Sequence, residues 1–440
     1  MTTPVRSTTD EMCILAPSLP GTIGGRRVAR VRMDALVVHN ILCFVKGDRA
    51  RACLRRVDRT WLAAHQLLTA GPRALVLHST KLSVHDGETL LSMYSIDLEA
   101  PTYDGVVAEW DDVRNEQVVR SCTKTCRPAR VAVSGNRAFV GYNGRTAFLQ
   151  ALDIASRRQV WLVELPDHSD CRCMDVTGTF VAMGCWDGAV AVCHATDGNV
   201  FRTFQAGSHV MCCSFNTDGS KLAAGTIVST LPQAGEYGVI VWDTASGAKL
   251  HRIPASYFIT SVNCIAFVHA SVGVDHILTG SNDAQLKLWR LDQAVVRRPR
   301  ATISFKDWVN ACAVLPEGHG QGWWIVANGV MRASGTCTSD VMASRLPLEG
   351  VNGDDTPFTL PVERWSGPCK VASQGVSFIG PDLLLSGWMG SHSIRSDAIN
   401  SLIVWRVGDQ EPKLVHPLRE KAQFAIGWQP SPSFRDQCNV

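Results

Sequence analysis

The stretch TGSNDAQLKLWRLD, residues 279–292, decides how the chain is read. It opens on Gly and small residues, makes a turn at Asn282-Asp283, then alternates apolar and polar side chains up to Trp289. Leu286 and Leu288 fall at period two, the spacing of one face of a β-strand. Asp283 sits where a carboxylate accepts hydrogen bonds from turn N–H groups. Fourteen residues therefore read as strand, tight turn, strand.

The pattern recurs along the chain. GCWDGAVAVCHATDG (184–198) repeats it. AAGTIVSTLPQAGEYGVIVWDTASG (223–247) repeats it with an insertion, and Val239 and Val241 keep period two. LSGWMGSHSIRSDAINSLIVWRVGD (385–409) is another interrupted copy, and VGYNGRTAFLQALDIAS (140–156) a weaker one. A unit of about 40 residues supplies four short strands, one small twisted sheet. Such a sheet cannot cover both its faces alone, so the units stack. Trp242, Trp289, Trp405 and Trp110 are read as wedges at the ends of third strands. Asp187 and Asp283 are read as turn carboxylates. His168, nineteen residues before Asp187, is at a suitable separation to bond it from one strand back. The pair is read as structural, because no nucleophile joins it.

These residues resemble the WD-repeat β-propeller family. The dipeptide stands as Trp110-Asp111 and Trp242-Asp243, and as Trp289-Arg290 and Trp405-Arg406. The family's Gly-His pair is mostly missing, with His168 and His209 near its place. The resemblance covers about residues 72–430 and implies about seven blades, near 72–125, 126–170, 171–210, 211–260, 261–309, 310–368 and 369–421. Residues 332–364 are expected to form a long loop. QFAIGWQP (423–430) is expected to close the ring against residues 82–121, which removes exposed sheet edges.

Ahead of this region the chain changes character. Residues 1–27 read as a Pro/Gly/Ser/Thr-rich leader without a signal peptide, and 431–440 as a tail. Residues 28–71 read as a small helical block. In MDALVVHNILCFV, Val38, Ile41, Leu42 and Val45 fall at helical spacing, with Asp34 as N-cap and Gly47 as stop. A second helix carries Leu54, Val57 and Trp61 on one side and arginines on the other. Residues 26–73 hold eleven Lys/Arg against three Asp, on a chain whose net charge is +3. The remainder is therefore mildly acidic.

Ile41-Leu42-Cys43-Phe44-Val45 and Val57-Asp58-Arg59-Thr60-Trp61 resemble the two helix motifs of the F-box. Met33-Asp34 stands where the family has Leu-Pro. The resemblance implies that Val38, Ile41, Leu42, Phe44, Leu54, Val57 and Trp61 dock a Skp-type adaptor, and through it a cullin. The propeller is then the substrate receptor of a ubiquitin ligase, acting by proximity alone. The alternative is a plain scaffold propeller whose helical block is packing. The fold expected is thus mainly β, a seven-bladed WD-repeat-like propeller behind a small all-α block.

Composition bounds the rest. With 45% hydrophobic and 19% charged residues the chain is globular in type. No run is long enough for a transmembrane helix. The sixteen cysteines show no zinc spacing and read as reduced, buried small hydrophobes of an intracellular protein, cytoplasmic or nuclear. Catalytic motifs, metal ligands and cofactor fingerprints are not found, and the low net charge speaks against nucleic acid. Arg297-Arg298-Pro299-Arg300 is a weak basic loop. Trp186, Trp308 and Trp388, near the expected blade loops, are the candidates for substrate contact. The protein is expected to be monomeric outside its complex.

Overall fold

A computed structural model describes residues 73–428, apart from short internal stretches of which 228–237, 348–361 and 390–398 are the longest. The described residues fall in one compact unit, Ala70–Ser431. They contain strands and turns and no helix. The F-box-like residues Val38, Ile41, Leu42, Phe44, Leu54, Val57 and Trp61 lie outside the described residues.

The chain begins with β1 (Arg73–Leu77), β2 (Lys81–Asp86) and β3 (Ser92–Asp97). A hairpin follows, β4 (Thr102–Asp111) and β5 (Glu116–Thr125). Then come six sheets, each of four consecutive antiparallel strands. The first of these holds β6 (Arg127–Ser134), β7 (Arg137–Asn143), β8 (Ala147–Asp153) and β9 (Arg158–Leu165). Next are β10 (Cys171–Val176), β11 (Phe180–Cys185), β12 (Ala189–His194) and β13 (Val200–Gln205). Then β14 (Val210–Phe215), β15 (Lys221–Thr226), β16 (Val239–Asp243) and β17 (Lys249–Ile253). The next sheet holds β18 (Val262–His269), β19 (Asp275–Ser281), β20 (Gln285–Arg290) and β21 (Ala301–Ser304). It is followed by β22 (Trp308–Pro316), β23 (Gly322–Val330), β24 (Ser339–Pro347) and β25 (Val362–Ser366), and by β26 (Ser373–Phe378), β27 (Leu383–Met389), β28 (Ile399–Arg406) and β29 (Leu414–Ala422). Last comes β30 (Phe424–Trp428), which pairs with β1 from Leu77↔Phe424 to Arg73↔Trp428, so that β3-β2-β1-β30 is a composite sheet.

The innermost strands touch in a closed cycle: β6, β10, β14, β18, β22, β26, β30 and back to β6. This is a β-propeller in which sheet stacks on sheet.

The structure corrects the expected architecture. A seven-bladed propeller behind a small all-α block was expected; six blades of four consecutive strands are found, and no helix among the described residues. The segment read as a first blade, 72–125, supplies only three strands to the composite sheet. Its remainder is the β4–β5 hairpin, which holds Trp110-Asp111 outside the four-stranded sheets. That dipeptide therefore does not mark a blade. Closure runs to residues 73–77 rather than 82–121, since β1 offers β30 a buried apolar strand, RALVL. The stretch 332–364 is not one loop, for it contains β24 and the start of β25.

Burial explains why these sequences form these strands. Middle strands such as β7, β11, β15 and β19 are buried at nearly every position, being covered on both faces. Outer strands are more exposed: β21 alternates buried and exposed residues, and β13 buries only Phe204 fully, because one face meets solvent. The Gly-plus-small endings of the second strands have a steric cause. Gly184, Gly225 and Gly280 face Cys173, Cys212 and Cys264 directly across the ladder. A Cβ on them would stand 2.4, 2.6 and 2.5 Å from those sulfurs and 2.5–2.8 Å from Val210, Val262 and Val309 of the next sheet. Glycine beside a small thiol lets adjacent sheets approach.

Candidate functional site

In every sheet the innermost strand begins, and its neighbour ends, on one face of the ring, which we call the entry face. Five consecutive innermost strands and β26 share a device there: the ladder register shifts by one residue near the strand's start. The shifts fall between Pro128/Arg130, Cys171/Cys173, Val210/Cys212, Val262/Cys264, Val309/Ala311 and Ser373/Gly375. The bulged positions are Ala129, Arg172, Met211, Asn263, Asn310 and Gln374. A bulge re-aims the side chain it carries. Two of them meet between sheets: Asn263 Nδ2 is 3.3 Å from Asn310 Oδ1. The same Nδ2 donates to Asn282 Oδ1 at 2.7 Å and to Val309 O at 3.0 Å, while Ser261 Oγ donates to Asn263 Oδ1 at 2.7 Å. These amides form a bonded row at the channel mouth.

Beside it stands an aromatic and cationic stack. Trp186 follows β11, its N–H bonded to Asp170 O at 3.1 Å. The Arg172 guanidinium carbon lies 4.1 Å from the Trp186 ring centroid, within cation–π range. The His209 ring, from the next sheet's entry loop, stacks on Trp186 at 4.3 Å and 8°. His209 Nδ1 contacts Trp186 O, so Nδ1 carries the proton and Nε2 is left as the acceptor in the neutral ring. Two sheets are thereby joined through one indole.

His168 Nδ1 is 3.2 Å from Asp187 Oδ2, and Asp187 Oδ1 accepts the Ala189 N–H at 2.9 Å. Asp283 holds the equivalent turn differently. It accepts the Gln285 N–H at 3.1 Å and binds Lys287 Nζ at 2.5 Å. Trp242, Trp289 and Trp405 lie on third strands and are each at most 1% exposed. Trp242 packs among residues of β10–β13 and β14–β17, and Trp289 among those of β14–β17 and β18–β21. Both are wedges between sheets. Trp186, Trp308 and Trp388 all stand on the entry face by strand register, Trp308 opposite Val330 and Trp388 opposite Ser373. They are not gathered at one point: Trp308 lies three sheets round the ring from Trp186, and Trp388 on the sheet after that of Trp308.

The other end of the channel holds a pocket of about 270 Å³ lined by Asp175, Thr177, Ser214, Asn216, Phe267 and Val314 among others. Asp175 Oδ2 accepts the Phe215 N–H at 2.7 Å, bridging two sheets. Loss of hydration pushes its pKa up to about 6, against hydrogen bonds that pull it down. The folded state thus holds the Asp175 proton more tightly than the unfolded chain. Its cost to stability is absent below about pH 4, grows between about 4 and 6, and is full above. We expect Asp175→Asn to gain on the wild type by on the order of 2 kcal/mol as pH rises from 4 to 7, read from urea midpoints. A difference that does not change with pH would contradict this.

Cys171, Cys185, Cys193, Cys212, Cys213 and Cys264 are free and buried. Burial raises the pKa of all but Cys213; there the Cys173 hydrogen bond leads and burial follows. Thiols held protonated are poor nucleophiles and ligands. Among the described residues no cluster of metal-ligating side chains is found, and no helix is long and apolar enough to cross a membrane. In the basic loop, Arg300 is 5% exposed, so it is not offered to solvent.

Arg172 and Lys287 escaped sequence reasoning. One signal was present: aligned entry segments read Cys171-Arg172-Cys173, Val210-Met211-Cys212 and Val262-Asn263-Cys264, a variable residue between two invariantly small or apolar ones.

No family model matches the chain. The Retinoblastoma-binding protein homolog 5 of Caenorhabditis elegans is 33% identical to it over 84 residues, 19% of this chain and 17% of that protein. The chain thus matches under a fifth of that relative's length. A chain in a crystal structure of the Mitotic Checkpoint Complex superimposes with a TM-score of 0.54 at 12% identity, covering 78% of this chain and 90% of that one. The β-propeller domain of Cps50 (Swd1) from Myceliophteria_thermophila gives 0.49 at 13% identity, over 67% and 86%. The ring of sheets and the likeness to the checkpoint-complex chain show the fold to be a WD40-like β-propeller.

Proposed function

We propose that this chain is a non-catalytic, protein-binding subunit of a multiprotein assembly, holding its partner on the entry face. The observation that carries the reading is the bulged ring there, with Arg172, Trp186 and His209 stacked beside a row of amides. Such a surface offers rigid aromatic area and fixed donors, the chemistry of a recognition surface rather than of bond cleavage. Propellers of this type serve in complexes, as the similar chain of the Mitotic Checkpoint Complex does. Gently lysed cells, fractionated by size exclusion and native mass spectrometry, should place the full-length chain in a stoichiometric assembly. Recovery as a lone monomer would overturn the reading.

A finer reading makes the assembly a cullin-RING ubiquitin ligase and the propeller its substrate receptor. It is favoured by Ile41–Val45 and Val57–Trp61 in sequence alone, and no family model matches there. The test is co-recovery of a Skp-type adaptor and cullin, lost when Val57 and Trp61 are both made charged. Failure there leaves the protein-binding reading standing.

A further inference from the structure

From the entry-face stack we infer that Arg172 is the anchor for a side-chain carboxylate in an acidic, extended segment of a protein partner. The inference rests on the protein-binding reading and names the chemistry of what is bound.

Arg172 is a half-exposed residue at the bulge of β10. Its guanidinium carbon stands 4.1 Å from the Trp186 ring centroid, and among the described residues it makes no hydrogen bond or ion pair; its Nε is buried without an acceptor. A cation so placed has lost part of its hydration and received no anion in return, which strengthens its attraction for one supplied from outside. The contact with the indole restrains the side chain, so less rotamer freedom is lost on binding, and the fork geometry suits a carboxylate held by two parallel hydrogen bonds.

The neighbouring charges are consistent with this. Asp187 is engaged by His168 and the Ala189 N–H. Asp170 lies two residues away and outside ion-pair distance, so it attenuates the cation without covering it. The adjacent innermost strand brings a second guanidinium, Arg130, toward the same Cys171. Next round the mouth come Met211, an apolar contact, then Asn263, whose amide is held by Ser261, Asn282 and Val309, and Asn310, whose Oδ1 faces Asn263 Nδ2. An extended chain crossing the mouth from Arg172 meets cation, thioether and amides in order.

The probe is a fluorescein-labelled, capped Gly-Ser peptide carrying four glutamates, compared with the same peptide bearing glutamines. Anisotropy titration of the full-length protein should show the glutamate peptide binding at least about tenfold more tightly. Arg172→Met should abolish that difference, and Arg172→Lys, which keeps charge but not the fork, should retain part of it. Thermal melts near the wild-type value for both variants exclude misfolding. Equal binding of the two peptides, or an unchanged preference in folded Arg172→Met, would overturn the inference. A preference only for a phosphoserine version of the peptide would overturn it too, because the site would then be built for phosphate. If the peptides fail while the chain still migrates in its assembly, the anchor is wrong and the protein-binding reading is untouched.

Discussion

Trp289→Ala should destabilise the propeller by about 3–5 kcal/mol, the usual cost of emptying a large aromatic site in a core. Trp289 is 1% exposed and belongs to a buried cluster that draws Val241 and Ile265 from two adjacent sheets. Its Nε1 donates to Thr279 Oγ1 at 2.8 Å, and Thr279 is fully buried. Truncation therefore leaves a cavity between sheets and a buried hydroxyl without its donor. Neighbouring sheets cannot collapse into the space, because ring closure fixes their spacing. Trp289→Phe keeps most of the volume and should cost less, about 1–2 kcal/mol for the lost hydrogen bond and the partial void. Urea unfolding followed by circular dichroism reads both. A loss under 1 kcal/mol for Trp289→Ala would show that the wedge is dispensable.

The second large effect is at Asp283. The Lys287 side chain is 2% exposed, and its Nζ lies 2.5 Å from Asp283 Oδ2 and 3.0 Å from Ala255 O. Asp283→Ala takes the carboxylate from a buried ammonium, which costs about 3–5 kcal/mol. It also removes the acceptor of the Gln285 N–H. Lys287→Met in the same background should restore much of the loss, since a similar apolar volume in place of a buried ion pair is often neutral. Asp187 provides the contrast: its partner His168 is 13% exposed, and water can replace it. Asp187→Ala should accordingly cost less than Asp283→Ala, a ranking that the same denaturation series checks.

What was legible in the sequence follows from where the physics is local. Period-two alternation in residues 285–290 and the Gly-small endings at 184, 225 and 280 are set by pleat and by sheet-to-sheet approach, so short windows carry them. The nineteen-residue separation of His168 and Asp187 was readable because one hairpin, β10 and β11 with the turn between them, fixes it. Ring closure was not, because β1 and β30 pair across almost the whole chain and nothing local in RALVL announces its partner. Trp110-Asp111 misled for a related reason: the same dipeptide fits the end of a hairpin strand as well as the end of a blade strand. Lys287 reads as the polar half of an alternating strand. Only the turn before it brings Asp283 round to it, which is why a buried ion pair looked like surface. Arg172 is one arginine in an apolar strand, and it is the bulge, not the residue type, that turns it toward Trp186.

The most direct test of the account is a map of where partners touch. The full-length protein, purified in its native assembly, is cross-linked and digested, and the links to other chains are located by mass spectrometry. The account predicts that links within the propeller concentrate on the entry face around residues 170–172, 186–188, 207–211 and 308–310, and that Arg172→Met weakens them there. Links confined to the opposite face around Thr177, Asn216 and Thr217, with the entry-face loops untouched, would contradict it.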